Sequence, residues 1–275
     1  MSIHAPVPAG SGLRFLHIPK TAGTTMVHIL RAQYLFSGRF EFSGDCEADH
    51  RRFAALPERE RARIQMFAGH APLRTGIDAA DRCALITMLR DPMARVQSFC
   101  RHVSEGKSPY LLERFPPARF DLDEFLWSGN AELSNLQTRM LLNTRSCDAP
   151  WPATLSDQRA AGAALENLQY VVWQFGIQEH FDESVQRFSA TFGWRGVHYR
   201  VRNRARRGKR LEFAPHHLRR IAELNAVDRE VYRLASARFL SSRGLRQTVR
   251  LGVSPGAVLS HGWARAASVL AHLLG

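Results

Sequence analysis

Four short apolar runs set the terms for this chain: Leu13–Ile18, Ile64–Ala68, Cys83–Leu89 and Tyr170–Gly176. Each is strand-length, and each is followed by chain-turning or charged residues. Between them apolar residues recur at helical spacing, as Met26, Val27, Ile29, Leu30 and Tyr34 after the first run and Val96, Phe99, Cys100 and Val103 after the third. Strand–helix alternation of this kind predicts a parallel α/β sheet with helices on both faces. Ligands of such sheets gather at the carboxyl ends of the strands. The segments Pro19–Thr25, Gly69–Pro72 and Arg90–Pro92 would all open on that one edge. Elsewhere the spacing predicts helices over 121–142, 156–168 and 179–192, and two more between 215 and 243. Residues 37–50 read as a loop, 106–120 as a loop or lid rich in Gly and Pro, and 200–213 as an arginine-rich loop.

At 275 residues the chain suits one large domain, 1–243, followed by a tail, 244–275. Its charge is +13, and all of that excess falls in residues 195–275, which hold 17 Lys+Arg against 4 Asp+Glu. That third of the chain expects an anionic partner: phosphate, sulfate, nucleic acid or acidic lipid. Arginine outnumbers lysine 35 to 3, so Lys20, Lys107 and Lys209 stand out. The four cysteines (Cys46, Cys83, Cys100, Cys147) form no C-x-x-C pair, which argues against a disulfide scaffold or a zinc fold, and no carboxylate cluster suggests a metal. Met1–Pro6 lacks a basic-then-apolar signal pattern, so the expected location is cytoplasmic.

Three segments carry chemistry. Pro19-Lys20-Thr21-Ala22-Gly23-Thr24-Thr25, between a strand and a helix, offers backbone N–H groups, a lysine and three hydroxyls to a phosphoryl or sulfuryl group. It is not a Walker A motif, because Lys20 precedes Gly23. In Arg90-Asp91-Pro92-Met93-Ala94-Arg95-Val96-Gln97-Ser98, Arg90 ends a strand and Ser98 lies two turns into the next helix, so both could reach one phosphate while Asp91 caps the helix or orients an arginine. In Phe67-Ala68-Gly69-His70 a histidine leaves a strand end, a position suited to a general base, with His17 and His28 as rivals. Each segment alone also fits an ordinary capped turn.

Their order, P-K-T-A-G-T-T, then G-H, then L-R-D-P-x-x-R-x-x-S, resembles the carbohydrate sulfotransferase family that includes heparan sulfate 2-O-sulfotransferase and its bacterial relatives. Gly176-Ile177-Gln178-Glu179-His180-Phe181 looks like that family's G-x-x-E-x-F segment. Asn225-Ala226-Val227-Asp228-Arg229-Glu230-Val231-Tyr232 is similar to its N-x-x-D-x-x-x-Y helix, and Asn203 in the basic loop also looks familiar. The resemblance covers residues 13 to 240. It implies a P-loop-like parallel sheet flanked by helices, with a helical C-terminal region. It also implies 3′-phosphoadenosine 5′-phosphosulfate as donor and no metal. Residue by residue, Lys20 with Thr21, Ala22, Gly23, Thr24 and Thr25 would form the 5′-phosphosulfate loop, Arg90 and Ser98 the 3′-phosphate pair, and His70 the base. This chain has Ala68-Gly69-His70 where close relatives have H-G-H. Arg206, Arg207 and Lys209 of the basic loop would fold over the nucleotide.

Sulfuryl transfer fits these residues on physical grounds as well: His70 takes the acceptor proton while Lys20 and the turn amides hold the leaving phosphate. The expected acceptor is a hydroxyl of a glycan or glycolipid, acidic in character. Two alternatives belong to other classes: a P-loop-like kinase, which would want Walker A geometry and a magnesium carboxylate, and a basic nucleic-acid-binding protein using residues 195–250, for which no recognised module is present. In the tail, Leu259, Trp263, Ala266, Leu270 and Leu273 form one apolar stripe. It suits a helix packed on its own domain or on a dimer partner, or else a peripheral helix at the inner face of an anionic membrane.

Overall fold

The computed structural model describes residues 12–142, 156–197, 199 and 211–250, with side chains as far as 241. The tail stripe, Cys147, Asn203 and the basic-loop residues Arg206, Arg207 and Lys209 lie outside the described residues.

The elements run β1 (Leu13–Leu16), α1 (Gly23–Gln33), β2 (Arg39–Phe42), α2 (Cys46–Ala54), α3 (Glu58–Arg61), β3 (Met66–Gly69), α4 (Asp78–Asp81), β4 (Ala84–Leu89) and α5 (Pro92–Ser104). They continue with α6 (Leu122–Trp127), α7 (Leu136–Leu141), α8 (Asp157–Tyr170), β5 (Gln174–Ile177), α9 (Phe181–Phe192), α10 (Pro215–Leu224) and α11 (Ala226–Arg250). Residues 2–234 make one compact unit; from Ala235 a second unit begins, whose described part is the remainder of α11.

All five strands are parallel, in the order β2-β3-β1-β4-β5. The parallel sheet flanked by helices is the architecture that the alternation predicted. Strand side chains alternate between faces. Leu13, Phe15, Met66, Ala68, Ile86 and Met88 meet Met26, Ile29 and Leu30 of α1 and Val185 and Phe188 of α9. On the opposite face Phe40, Phe42 and Phe67 meet Ala71, Ile77 and Ala80, with Phe53 packed alongside. Arg14 is buried in the central strand, where desolvation pulls its pKa down and Asp81 opposes that pull. The guanidinium ties down the segment after β3 by donating to Pro72 O (3.2 Å).

Chain direction reverses about the β1/β4 pair: β1 leads through α1 toward β2 on one side, and β4 leads toward β5 on the other. This is the topological switch point of an open α/β sheet, where the loops after two adjacent strands part and leave a crevice. Those loops carry Lys20 and Arg90.

Several boundaries differ from expectation. Residues 37–50 are not a loop: β2 and the start of α2 lie there. Phe40 and Phe42 turn inward while Arg39 and Glu41 alternate with them, a four-residue pattern too short to read against its polar neighbours. Asp45 caps α2, its carboxylate accepting from Ala48 N at 2.9 Å. Tyr170–Val172 belongs to the end of α8 and its turn rather than to a strand, with Val171 N and Val172 N both donating to Asn167 O; sheet pairing starts only at Trp173 N, bonded to Leu85 O. The stretch 121–142 is two short helices, α6 and α7, around a 3₁₀ turn at Ala131–Leu133. The 106–120 segment is non-regular apart from two 3₁₀ turns, as expected. Among the described residues no helix is long and apolar enough to cross a membrane.

Candidate active site at the carboxyl edge of the sheet

The turn between β1 and α1 is tightly wound. Lys20 and Ala22 both have positive φ (69° and 68°), a conformation rare for residues with a side chain and characteristic of functional turns when it persists. Thr21 is fully buried and donates its hydroxyl to Ile18 O at 2.8 Å, which locks the turn from inside. Ala22 O accepts from Thr25 N and Met26 N, so α1 begins directly at Gly23. A Cβ on Gly23 would fall 1.8 Å from the His17 ring, so glycine is what lets that imidazole lie against the start of α1. Thr24 is exposed and Thr25 buried.

Arg90 leaves the end of β4 and donates Nη1 to Lys20 O at 3.0 Å, joining the two motifs across the crevice. Its backbone is held in turn: Arg90 N donates to Gln137 Oε1 (2.9 Å) and Gln137 Nε2 donates to Arg90 O (2.8 Å). Asp91 is the cap of α5, accepting from Ala94 N at 2.8 Å. Asp91 N donates to Glu179 Oε1 (3.1 Å), and Tyr232 Oη donates to Glu179 Oε2 (2.8 Å). Ser98 lies half-buried two turns into α5 and does not share a hydrogen bond with Arg90. The structure thus brings Lys20 and Arg90 together but leaves the Arg90–Ser98 pair unjoined.

Two segments that the resemblance singled out prove to be braces. Asp228, buried at 1 % exposure, accepts from Gln137 N (3.1 Å), Thr138 N (2.7 Å) and Thr138 Oγ1 (2.7 Å), fixing the first turn of α7. Asn225 Nδ2 donates to Leu133 O at 2.7 Å, and Asn135 Oδ1 accepts from Val227 N and Asp228 N. From Asp228 to α7, to Gln137, to Arg90, to Lys20, each link is a hydrogen bond or one helical turn.

His70 follows Gly69, whose φ of +139° and whose approach to β2 (an added Cβ would sit 2.4 Å from Phe42 O) demand glycine. His70 Nδ1 lies 2.7 Å from His17 O. A carbonyl only accepts, so the proton is on Nδ1 and Nε2 keeps its lone pair. Burial lowers the His70 pKa, with the bond to His17 O opposing. The ring stacks on His17 (centroids 4.2 Å apart, 26° between planes). His17 is pushed well below the usual histidine range by burial, then by His70 and Lys20. Both rings are therefore neutral at pH 7, and His70 has its acceptor nitrogen unprotonated. His28, one turn along α1, lies in the field of Glu41.

Lys20 is pushed down to about 8 by burial first, then by Arg90 and Lys107, with Glu105 and Glu132 opposing. His102, on the α5 face that carries Ser98 one turn earlier, is pushed down to about 4 by burial and by Lys20 and Lys107. Arg90 is lowered mainly by burial, and its Nε is buried with no hydrogen-bond partner. Cations that depress one another, one of them with an orphaned donor, make an environment that an anion would relieve. A di-anionic nucleotide fits that requirement. Sequence reasoning missed His102, Lys107 and Glu132 here. Lys107 and His102 carried readable signals, a scarce residue type and an i, i+4 relation to Ser98; Glu132 carried none.

A separate group, Asp123, His216 and His217, brings its ligand atoms within 4.8 Å of one another. Asp123 Oδ1 meets His216 Nε2 at 3.0 Å and His217 Nε2 at 3.1 Å, while His217 Nδ1 accepts from Ala214 N. That last bond puts the His217 proton on Nε2, the very atom a metal would need, so the group reads as a hydrogen-bonded clasp between α6 and α10.

No family model matches this sequence, and no curated protein matches it. Among solved structures it is similar to mouse sulfotransferase SULT7A1 complexed with PAP, at 12% identity and a TM-score of 0.40, over 80% of this chain and 65% of that one. This chain therefore spans just under two thirds of that protein's length, and the functional reading rests on the residues themselves.

Proposed function

We propose that the protein is a sulfotransferase that moves a sulfuryl group from 3′-phosphoadenosine 5′-phosphosulfate to a hydroxyl of a glycan or glycolipid. The observation that carries this reading is the Arg90–Lys20 junction at the switch point: a strained, lysine-bearing turn and a strand-end arginine with an orphaned donor, bonded across one crevice.

The donor's 5′-phosphosulfate would lie against Lys20 and the amides of the Thr21–Thr25 turn, at the N-terminus of α1. Arg90, with Ser98 along α5, would take the 3′-phosphate. His70 Nε2 accepts the proton of the acceptor hydroxyl as its oxygen bonds to sulfur. The bond from sulfur to the bridging oxygen breaks, and the charge passes to the 5′-phosphate beside Lys20. Depressed histidine pKa values keep His70 ready as a base across the neutral range.

Calorimetric titration with 3′-phosphoadenosine 5′-phosphate tests the donor site. Wild type should bind it well above 5′-AMP, and Arg90→Ala and Ser98→Ala should narrow that preference. Transfer of ³⁵S from the labelled donor to a panel of glycans and glycolipids tests the reaction. Equal affinity for both nucleotides, or preference for ATP, would overturn the reading.

A further inference from the structure

The turn at 131–134 is held with unusual thoroughness. Its four successive carbonyls each accept from a buried side chain: Ala131 O from Arg139 Nη2, Glu132 O from Arg95 Nη2 (2.8 Å), Leu133 O from Asn225 Nδ2 (2.7 Å) and Ser134 O from Arg139 Nε (3.1 Å). Asn130 Oδ1 accepts from Glu132 N at 2.9 Å. Arg95, Arg139 and Asn225 are all at 2 % exposure or less. Two arginines and an asparagine are thereby drawn into the interior to fix a turn of four residues. A turn that merely connected α6 to α7 would leave such carbonyls to water.

What the turn presents is the Glu132 side chain, itself buried, with Tyr110 Oη donating to Oε1. The turn packs on α5 through Arg95, one and a half turns beyond Arg90. It also leads directly into α7, whose Gln137 grips the Arg90 backbone; Arg90 in turn holds Lys20 O. The charged groups around Lys20 are Arg90 from the end of β4, Lys107 and Glu105 from the segment after α5, and Glu132 from this turn; His17 and His102 feel its charge. Of the two carboxylates, Glu105 is exposed and ion-paired to Lys107, whereas Glu132 is fixed and buried.

We propose that Glu132 is a positioning residue for Lys20: an immobilised counter-charge that keeps the lysine protonated among its cationic neighbours, ready to receive the leaving phosphate. The inference rests on the reading of Lys20 as the donor-loop cation, but it is tested without donor or acceptor.

Because the chain has only three lysines, reductive ¹³C-methylation gives three resolvable signals, assigned through Lys107→Arg and Lys209→Arg. The Lys20 signal of wild type should titrate near 8. In Glu132→Gln, whose amide oxygen still accepts from Tyr110, the midpoint should fall by roughly half a unit, about a threefold loss in proton affinity. Glu105→Gln should shift it less. Thermal denaturation shows whether each variant is folded; if Glu132→Gln is not, Glu132→Asp, with its charge withdrawn by one methylene, should give a smaller downward shift. An unmoved Lys20 midpoint in a folded Glu132 variant would overturn the proposal. Failure of wild type to bind 3′-phosphoadenosine 5′-phosphate would instead strike the functional reading and leave the titration result standing.

Discussion

Binding of an anionic nucleotide should be accompanied by proton uptake centred near pH 8, and Lys20 should be its source. In the free protein Lys20 is held near 8 by burial and by Arg90 and Lys107. The lysine is therefore about nine-tenths charged at pH 7, half charged at pH 8 and about one-tenth charged at pH 9. An anion seated against Nζ favours the charged form and raises the pKa, so the complex holds the proton throughout this window. The sign follows: affinity is full below pH 7 and is lost as pH rises through 8. With the bound lysine fully protonated, the association constant should fall about tenfold between pH 7 and pH 9, about 1.4 kcal/mol. Uptake should be about half a proton per nucleotide at pH 8. His102, near 4, and the depressed His17 and His70 are already neutral at pH 7 and add nothing to this window. Calorimetry with 3′-phosphoadenosine 5′-phosphate in phosphate and in Tris, whose ionisation enthalpies differ widely, reads the uptake from the difference in apparent heat. Lys20→Met should abolish both the uptake and the pH dependence. Uptake that persists in Lys20→Met, or is absent from wild type, would refute the placement of Lys20 at the anion.

His70→Ala should lower kcat by about 10²–10⁴-fold while leaving nucleotide affinity within about twofold, because the base acts on the acceptor; if His17→Ala gives that split instead, the base is His17. Gly69→Ala would place a Cβ 2.4 Å from Phe42 O at a φ of +139°. It should cost about 3 kcal/mol or more in urea denaturation, and a near-neutral effect would show that β2 yields easily. Asp228→Ala removes the acceptor for Gln137 N, Thr138 N and Thr138 Oγ1. It should cost about 3 kcal/mol and weaken nucleotide binding through Gln137 and Arg90, a loss that should be absent if α7 holds its place unaided.

What could be read from the sequence depended on how far apart the cooperating atoms lie along the chain. The strands β1, β3 and β4 announce themselves because an interior parallel strand is apolar on both faces. Pro19–Thr25 and Arg90–Ser98 are each one local turn running into a helix, so residue type and spacing alone suggested an anion site. β2 escaped notice because four alternating residues at a sheet edge look like polar loop. The end of α8 was misread as strand because Tyr170-Val171-Val172 has β-branched and aromatic composition, and composition alone cannot say whether Val171 N and Val172 N will find Asn167 O or a neighbouring strand.

The supporting contacts of the site are of another kind. Arg90 reaches Lys20 across 70 residues, Gln137 reaches Arg90 across 47, and Asp228 reaches Thr138 across 90. No local pattern encodes such pairings; they exist only once the sheet has set β1 beside β4 and α11 has closed on α7. The same holds for electrostatics: Lys20 is recognisable as a scarce residue in a tight turn, but its proton affinity is set by burial, Arg90, Lys107, Glu105 and Glu132, which converge from four separate segments. The sequence therefore discloses which groups meet the ligand more readily than which groups tune them. Activity altered by substitution at Gln137, Glu132 or Asp228, far along the chain from Lys20 and outside the donor motifs, is the signature this division of labour predicts.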